Sequence, residues 1–310
     1  HIMNAPNLHL KWITPRRIGR FLLFLSAVIA LATIRKGAFV DEADNLVLGS
    51  LIARGDYLYV DLFSHHFPFP YYWMAMVVSL TGKSLFLARL SMVAFQWLAF
   101  WLIMETCGWY LALGTTAVLW SLIRSFYFGH MVVYPSFTAA SMLVMVAVIL
   151  YVAEKRDSCR PVHWILVGLS GAVTMLSDPR LTIPLVLAFV YLTIRSPRNG
   201  IRAGLVMAGV GLLVVASMGL SGMLPAFYAE AVEFNLDTYS KYGNHSFWRF
   251  DKFRDVGVSG FEVLKRLRLF PLKMSLNTEN CATADKWLFT GFMFRIGIIL
   301  MIIYLCTKKR

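Results

Sequence analysis

The chain has 310 residues and a formal net charge of +13; 58% of its residues are apolar and only 15% are charged. Soluble globular domains usually contain about 45–50% apolar and about 25% charged residues, so this composition excludes an ordinary soluble domain, a disordered chain and a small disulfide-bonded scaffold. The sequence predicts an all-α polytopic membrane protein. In such a protein the positive charge first reports which loops face the cytoplasm, so it does not indicate nucleic-acid binding.

Apolar segments predict about eight transmembrane helices, because each approaches the roughly 20 residues needed to cross a ~30 Å hydrocarbon core. These segments are 18–34, 84–104, 109–124, 135–153, 162–177, 181–195, 201–222 and 287–306. The apolar segment 71–80 is shorter and follows Pro68 and Pro70, so we expect a juxtamembrane helix in the first outer loop.

Basic residues orient these predicted helices. With eight spans, the Lys and Arg residues of the N-terminal segment, of two short loops and of the C-terminal tail all lie on one side, which the positive-inside rule makes cytoplasmic. Both termini are then inside. All acidic residues except Glu105, Glu154 and Asp157 fall on the outer side.

The predicted domain organisation is simple. Residues 1–17 form a cytoplasmic segment whose first three residues, His-Ile-Met, look like a cloning remnant. Residues 18–310 form a single transmembrane domain. Its two large outer loops are 35–83, where we expect the chemistry, and 223–286.

The first outer loop contains the densest group of polar residues. Asp41 and Glu42 stand at the membrane edge, at the start of a short amphipathic helix. Unpaired amides and the helix dipole stabilise a carboxylate there as the anion, which can serve as a general base toward a hydroxyl or amine. The alternative, favoured by spacing alone, is that Asp41 only caps the helix.

His65 and His66 are suited to bind a divalent metal together with Asp41 or Glu42. We expect an extended backbone at this pair, on which adjacent side chains point to opposite sides, so both imidazoles would not bind one ion. The prediction is therefore a site without a metal or other cofactor.

Residues 40–90 resemble the GT-C superfamily of membrane glycosyltransferases, whose sugar donor is a polyprenyl-phosphate. Protein O-mannosyltransferases and the bacterial aminoarabinose transferase of lipid A are members. The resemblance rests on Asp41-Glu42, Gly55-Asp56-x-x-Tyr59-x-Asp61, Pro68-x-x-Tyr71-Tyr72 and Arg89. It implies that the short apolar segment of the first outer loop is a juxtamembrane helix.

The resemblance also implies roles by position. Asp41 matches the catalytic base, with Glu42 beside it, and Arg180, which ends a Ser-Asp-Pro-Arg sequence, matches the residue that binds the donor phosphate. Tyr134 stands where the family often has a second acidic residue. Asn235 belongs to a Phe-Asn-x-x-x-Tyr pattern that the relatives share.

Other cations and polar residues complete the predicted site. Cations at the outer boundary, where positive charge is normally sparse, are expected to bind the phosphate, or alternatively to snorkel to lipid headgroups. They are Arg35, Lys36, Arg89, Arg124 and Arg180. The predicted substrate-binding residues are His65, His66, Tyr59, Asp61, Tyr134 and Asn235. The aromatic run 67–73 either stacks on sugar rings or forms an interfacial belt.

The resemblance implies an inverting glycosyltransferase at the outer face of a bacterial inner membrane. It would move a sugar from a polyprenyl-phosphate carrier to a lipid, glycan or protein acceptor of the cell envelope. A lipid-linked sugar transporter or flippase is one alternative, although few polar residues besides Gln96 and Arg295 lie in the spans. A catalytically silent GT-C-like scaffold is the other, and Tyr134 in place of an acid favours it.

Overall fold

The structure of the chain is a computed structural model that describes residues 14–32, 34, 40–123, 131–155 and 159–239. The chain divides into two compact units at Asp237, and the features below belong to the first unit, apart from the last two residues of the final helix. The secondary structure of these residues is helical, without a β-strand, and includes one isolated backbone bridge between Leu58 and Leu62. The predicted all-α class is confirmed.

The described residues contain ten α-helices, a 3₁₀ turn and a π-helix. The α-helices are α1 (Pro15–Ala32), α2 (Val40–Ile52), α3 (Phe69–Thr81), α4 (Leu85–Cys107), α5 (Tyr110–Ile123), α6 (Tyr134–Lys155), α7 (Pro161–Ser177), α8 (Thr182–Arg195), α9 (Pro197–Leu220) and α10 (Leu224–Phe227). The 3₁₀ turn Pro179–Leu181 joins α7 to α8, and the π-helix Tyr228–Tyr239 follows α10.

Three of the described helices, α4, α6 and α9, are long and apolar enough to cross a membrane, and shorter apolar helices lie within α5 and α7. These helices indicate membrane association. Helices are present at seven of the eight predicted spans, whereas the eighth, 287–306, lies outside the described residues. The total of eight transmembrane helices stays a prediction.

Helix α3 covers the apolar segment 71–80. Its 13 residues give a length of about 20 Å, short of a ~30 Å hydrocarbon core. The helix packs against α2 and α4. Phe69 and Trp73 contact the rings of Phe95 and Phe137 at centroid distances of 5.2–6.4 Å. These two members of the aromatic run therefore pack against the core between the helices.

Helices α1 and α5 make a close contact that depends on two glycines. A Cβ atom on Gly19 would overlap the carbonyl oxygen of Tyr110, and one on Gly114 would lie 2.7 Å from the carbonyl oxygen of Gly19. Small residues allow helix backbones to approach closely in this way, as they do between membrane helices.

Replacing Gly19 with valine is expected to destabilise the protein by roughly 1–3 kcal/mol or more, because the α1 and α5 backbones must separate. The matched control is Gly204→Val on α9, where an added Cβ has no atom within 4 Å. Thermal unfolding of the purified protein in detergent, followed by circular dichroism, measures the difference. Equal unfolding temperatures for the two variants would contradict the close contact.

Candidate functional site

Helix α2 brings two acidic residues to one end of the bundle. Asp41 and Glu42 both lie in its first turn. Asp41 is half-buried, whereas Glu42 is fully buried. The two neighbouring carboxylates therefore meet different surroundings, and only Asp41 is open to solvent.

Glu42 forms a buried bidentate ion pair with Arg89 of α4. Arg89 Nε donates to Glu42 Oε1 at 2.9 Å and Arg89 Nη2 donates to Oε2 at 2.5 Å, with exposed fractions of 3% for Arg89 and 0% for Glu42. Glu42 Oε1 also accepts the backbone N–H of Val132 at 3.1 Å, and Arg89 Nη1 donates to the carbonyl of Ile34 at 2.8 Å. Each charge is thus compensated by its partner and by backbone groups, as a buried charge requires.

This pair changes the roles of two predicted site residues. A phosphate could reach Arg89 only by displacing Glu42 from a position that is closed to solvent, so the geometry argues against donor binding by Arg89. Glu42 is likewise closed to an acceptor substrate. The pair instead ties α2 to α4 and to the segment before α6. Asn45 adds a second tie, because its Nδ2 donates to the carbonyl of Val132 at 2.8 Å.

The loop between α2 and α3 carries His65 and His66, whose rings lie against each other. Their centroids are 4.0 Å apart and their planes differ by 41°. The expectation that the two side chains point to opposite sides is wrong, because the backbone bends at both residues and is not extended. The ring of His66 also lies 5.0 Å from that of Tyr134 at the start of α6.

Arg180 continues the stack beyond Tyr134. Its guanidinium carbon lies 5.1 Å from the centre of the Tyr134 ring, within the range of a cation–π contact. Its Nε and Nη2 donate to the carboxylate of Asp178 at 2.8 and 2.9 Å. The Arg180 side chain is nevertheless 61% exposed. The guanidinium is thus held by an acid and a ring and still faces solvent.

Electrostatic effects couple the acids of α2 to the histidines. Burial raises the pKa of Asp41 and the charge of Asp44 raises it further, whereas His65 lowers it. This net direction is opposite to the expected stabilisation of the anion, because burial outweighs the helix terminus. Burial lowers the pKa of His65, and it lowers the pKa of His66 to about 4, with His65 and Arg180 adding to the effect. Both shifts favour the neutral imidazole.

Six of the predicted site residues belong to this one region. They are Asp41, His65, His66, Tyr134, Arg180 and Asn235. We call them, together with Asp44 and Asp178, the Asp41–Arg180 cluster. Asp44 and Asp178 are absent from the sequence prediction, although Asp178 was recognisable as the acid two residues before Arg180 in an Asp-Pro turn.

The remaining predicted residues have other positions. Tyr59 is buried and its hydroxyl donates to the carbonyl of His66 at 2.8 Å. Asp61 is exposed and accepts the backbone N–H of Tyr57 at 2.7 Å, so it closes its own turn. Arg35, Lys36 and Arg124 lie outside the described residues.

The described part of the chain has no group of three or more His, Cys, Asp and Glu residues arranged to hold a metal ion. The prediction of a site without a metal stays a prediction. Comparison of the chain with protein-family profiles, curated proteins and solved structures finds no match.

Removing one partner of the buried ion pair is expected to lower the free energy of unfolding. The substitution Glu42→Ala leaves Arg89 charged and uncompensated, and the expected loss of stability is about 3–5 kcal/mol. The matched control is Glu105→Ala, which breaks exposed ion pairs to Arg16 and Arg20 and is expected to cost about 0–1 kcal/mol. Thermal unfolding in detergent compares the two. A similar loss of stability in both variants would show that burial does not determine how much an ion pair stabilises this protein.

His66 predicts a specific pH dependence of stability. Because its pKa is about 4 in the folded protein and 6.5 ordinarily, the unfolded chain binds more protons between these values, and stability falls as the pH is lowered through this window. In the wild type this titration is expected to lower the free energy of unfolding by up to about 2–3 kcal/mol across the window, and the substitution His66→Gln is expected to remove that loss. Unfolding temperatures of variant and wild type from pH 7.5 to 4.5 measure the effect, and parallel curves would contradict it.

Proposed function

We propose that this protein is an inverting GT-C-type glycosyltransferase that moves a sugar from a polyprenyl-phosphate carrier to a lipid, glycan or protein acceptor. One observation carries the proposal. A solvent-accessible carboxylate, Asp41, and an exposed guanidinium, Arg180, belong to one cluster although they lie far apart in the sequence. His65 interacts electrostatically with both of them.

These two groups match the requirements of a single displacement. The acceptor hydroxyl loses its proton to Asp41 while its oxygen forms a bond to the anomeric carbon. The bond from that carbon to the phosphate oxygen breaks, and the polyprenyl phosphate leaves with the electron pair. The raised pKa of Asp41 suits a general base, because proton transfer is most effective when the pKa approaches the working pH.

Arg180 is suited to stabilise the charge of the leaving group. A departing phosphate monoester needs charge stabilisation more than it needs a proton, and an arginine is always charged and binds phosphate oxygens in pairs. Its orientation is set in advance by Asp178 and by the Tyr134 ring. Preorganised charge of this kind stabilises a transition state without a cost of reorganisation during the reaction.

The directions in which the helices run support a location of the cluster on the outer side of the membrane. Within the Asp41–Arg180 cluster, Asp41, Tyr134 and Arg180 lie at or just before the starts of α2, α6 and α8. The opposite ends of the helices carry the basic residues that we expect in the cytoplasm, among them Arg16 and Arg20 at the start of α1 and Arg195 at the end of α8. We propose that the cluster faces the periplasm of a bacterial inner membrane, close to the lipid-embedded donor.

One observation favours a second candidate, a catalytically silent scaffold. The guanidinium of Arg180 is already paired with an acid of its own turn, Asp178, and Tyr134 replaces the second acid that the resemblance leads one to expect. A scaffold would retain the geometry of the cluster without preferring a phosphorylated lipid.

A binding titration separates these candidates. We expect the purified protein to prefer a short-chain polyprenyl phosphate over the corresponding alcohol. Arg180→Ala is expected to weaken this binding about tenfold or more, because a charge-assisted hydrogen bond is worth about 1.5–3 kcal/mol. Asp41→Asn is expected to bind as the wild type does. The control is Arg198→Ala, an exposed arginine beyond the opposite end of α8.

Transfer activity then tests Asp41. With polyprenyl-phosphate sugars as donors, Asp41→Asn is expected to lose at least about a hundredfold in rate while it retains donor binding. Full transfer by a folded Asp41→Asn protein would remove the general-base assignment. Equal binding of phosphate and alcohol by the wild type would remove the donor assignment and favour the scaffold.

A further inference from the structure

The loop that carries the histidine pair is fixed at three consecutive residues. The backbone N–H of Ser64 donates to Glu230 Oε2 at 2.8 Å. Asn235 Nδ2 donates to the carbonyl of His65 at 2.5 Å, and the Tyr59 hydroxyl donates to the carbonyl of His66 at 2.8 Å. Two of these three contacts come from the π-helix, more than 160 residues later in the chain.

The π-helical winding is what brings Glu230 and Asn235 to one side. In an α-helix, residues five apart differ by about 140° around the axis, so they point in different directions. A π-helix closes a wider turn with i→i+5 hydrogen bonds, and residues five apart then lie on the same side of the helix. Asn235 Nδ2 also donates to the carbonyl of Ala231 at 2.8 Å, which fixes the amide that reaches the loop.

The same helix contacts the imidazole as well as the backbone. The ring of Phe234 lies 5.9 Å from that of His65 and 5.4 Å from that of Phe63, which in turn lies 6.5 Å from His65. The His65 ring is thus flanked by these two phenylalanines and by His66. On the far side of His66 lies Tyr134.

We infer that Glu230 and Asn235 are positioning residues, through which the π-helix Tyr228–Tyr239 places the His65–His66 pair between Asp41 and Arg180. The assignment of the pair to a catalytic site rests on the proposed function. Within that function the neutral imidazoles are hydrogen-bonding groups for the acceptor hydroxyl beside Asp41. The placement itself depends only on the contacts between loop and π-helix.

Histidine titration by NMR tests the placement in the full-length protein. His65→Gln and His66→Gln identify the two signals among the seven histidines of the chain. The variants are Asn235→Leu and Glu230→Ala. We expect each to raise the pKa of His66 from about 4 by one pH unit or more toward its ordinary 6.5, because the released loop exposes the ring.

The sign of the shift separates positioning from a direct charge effect. Loss of the Glu230 carboxylate would by itself lower the pKa of a nearby histidine, whereas release of the loop raises it. Glu233→Ala removes the same charge from an exposed position of the same helix and is expected to leave both histidines unchanged. The inference would be overturned if Asn235→Leu and Glu230→Ala fold and the pKa values of their two histidines equal those of the wild type.

A milder variant covers the case in which those proteins fail to fold. Glu230→Gln keeps an acceptor oxygen for Ser64 and is expected to keep the pKa of His66 near the wild-type value. A rise of one unit or more in Glu230→Gln would overturn the role of this hydrogen bond.

Binding of polyprenyl phosphate to the wild type distinguishes the two proposals. Shifted titrations in the variants, with no preference of the wild type for the phosphate over the alcohol, support the positioning and contradict the proposed glycosyltransferase. Unchanged titrations in the variants, with a wild type that prefers the phosphate, contradict the positioning and support the donor assignment.

Discussion

The buried ion pair between Glu42 and Arg89 holds α2 against α4, and the positions of the neighbouring site residues depend on this contact. Two charges removed from water must be paired, and the bidentate contact joins α2 to α4. The backbone groups of Ile34 and Val132 complete the pair, so four segments meet at one point. Replacing such a pair by apolar residues is often neutral, and its value then lies in specifying one arrangement. Here that arrangement leaves the neighbouring Asp41 at the surface.

A second level of organisation is the stack that runs from Phe234 through the histidines and Tyr134 to Arg180. The five members come from four elements, and every contact in the stack joins segments distant in sequence except that between the two histidines. Tyr59 illustrates the constraint on this region. It has a φ of +70°, which is rare for a side chain of its size, and it is buried while its hydroxyl supports the loop. Strain of this kind persists only where surrounding contacts determine the backbone.

The sequence predicted features that depend on local composition. Helices are present wherever the apolar segments of the described residues predicted spans. Features set by distant contacts were not predictable. Nothing near Arg89 indicates that its partner is Glu42, and the bend at the histidines is imposed partly by residues of a π-helix that no hydrophobic period reveals. The pKa direction of Asp41 was missed for the same reason, since burial is a tertiary property.

The contact between Asp178 and Arg180 has a kinetic consequence. Any anion that reaches this guanidinium competes with a carboxylate two residues away that is always present at high local concentration. Such a tethered competitor lowers the affinity for the visiting anion and shortens its residence time, because the departing group is replaced within the same turn. The arrangement therefore favours rapid exchange of a bound anion over its tight retention.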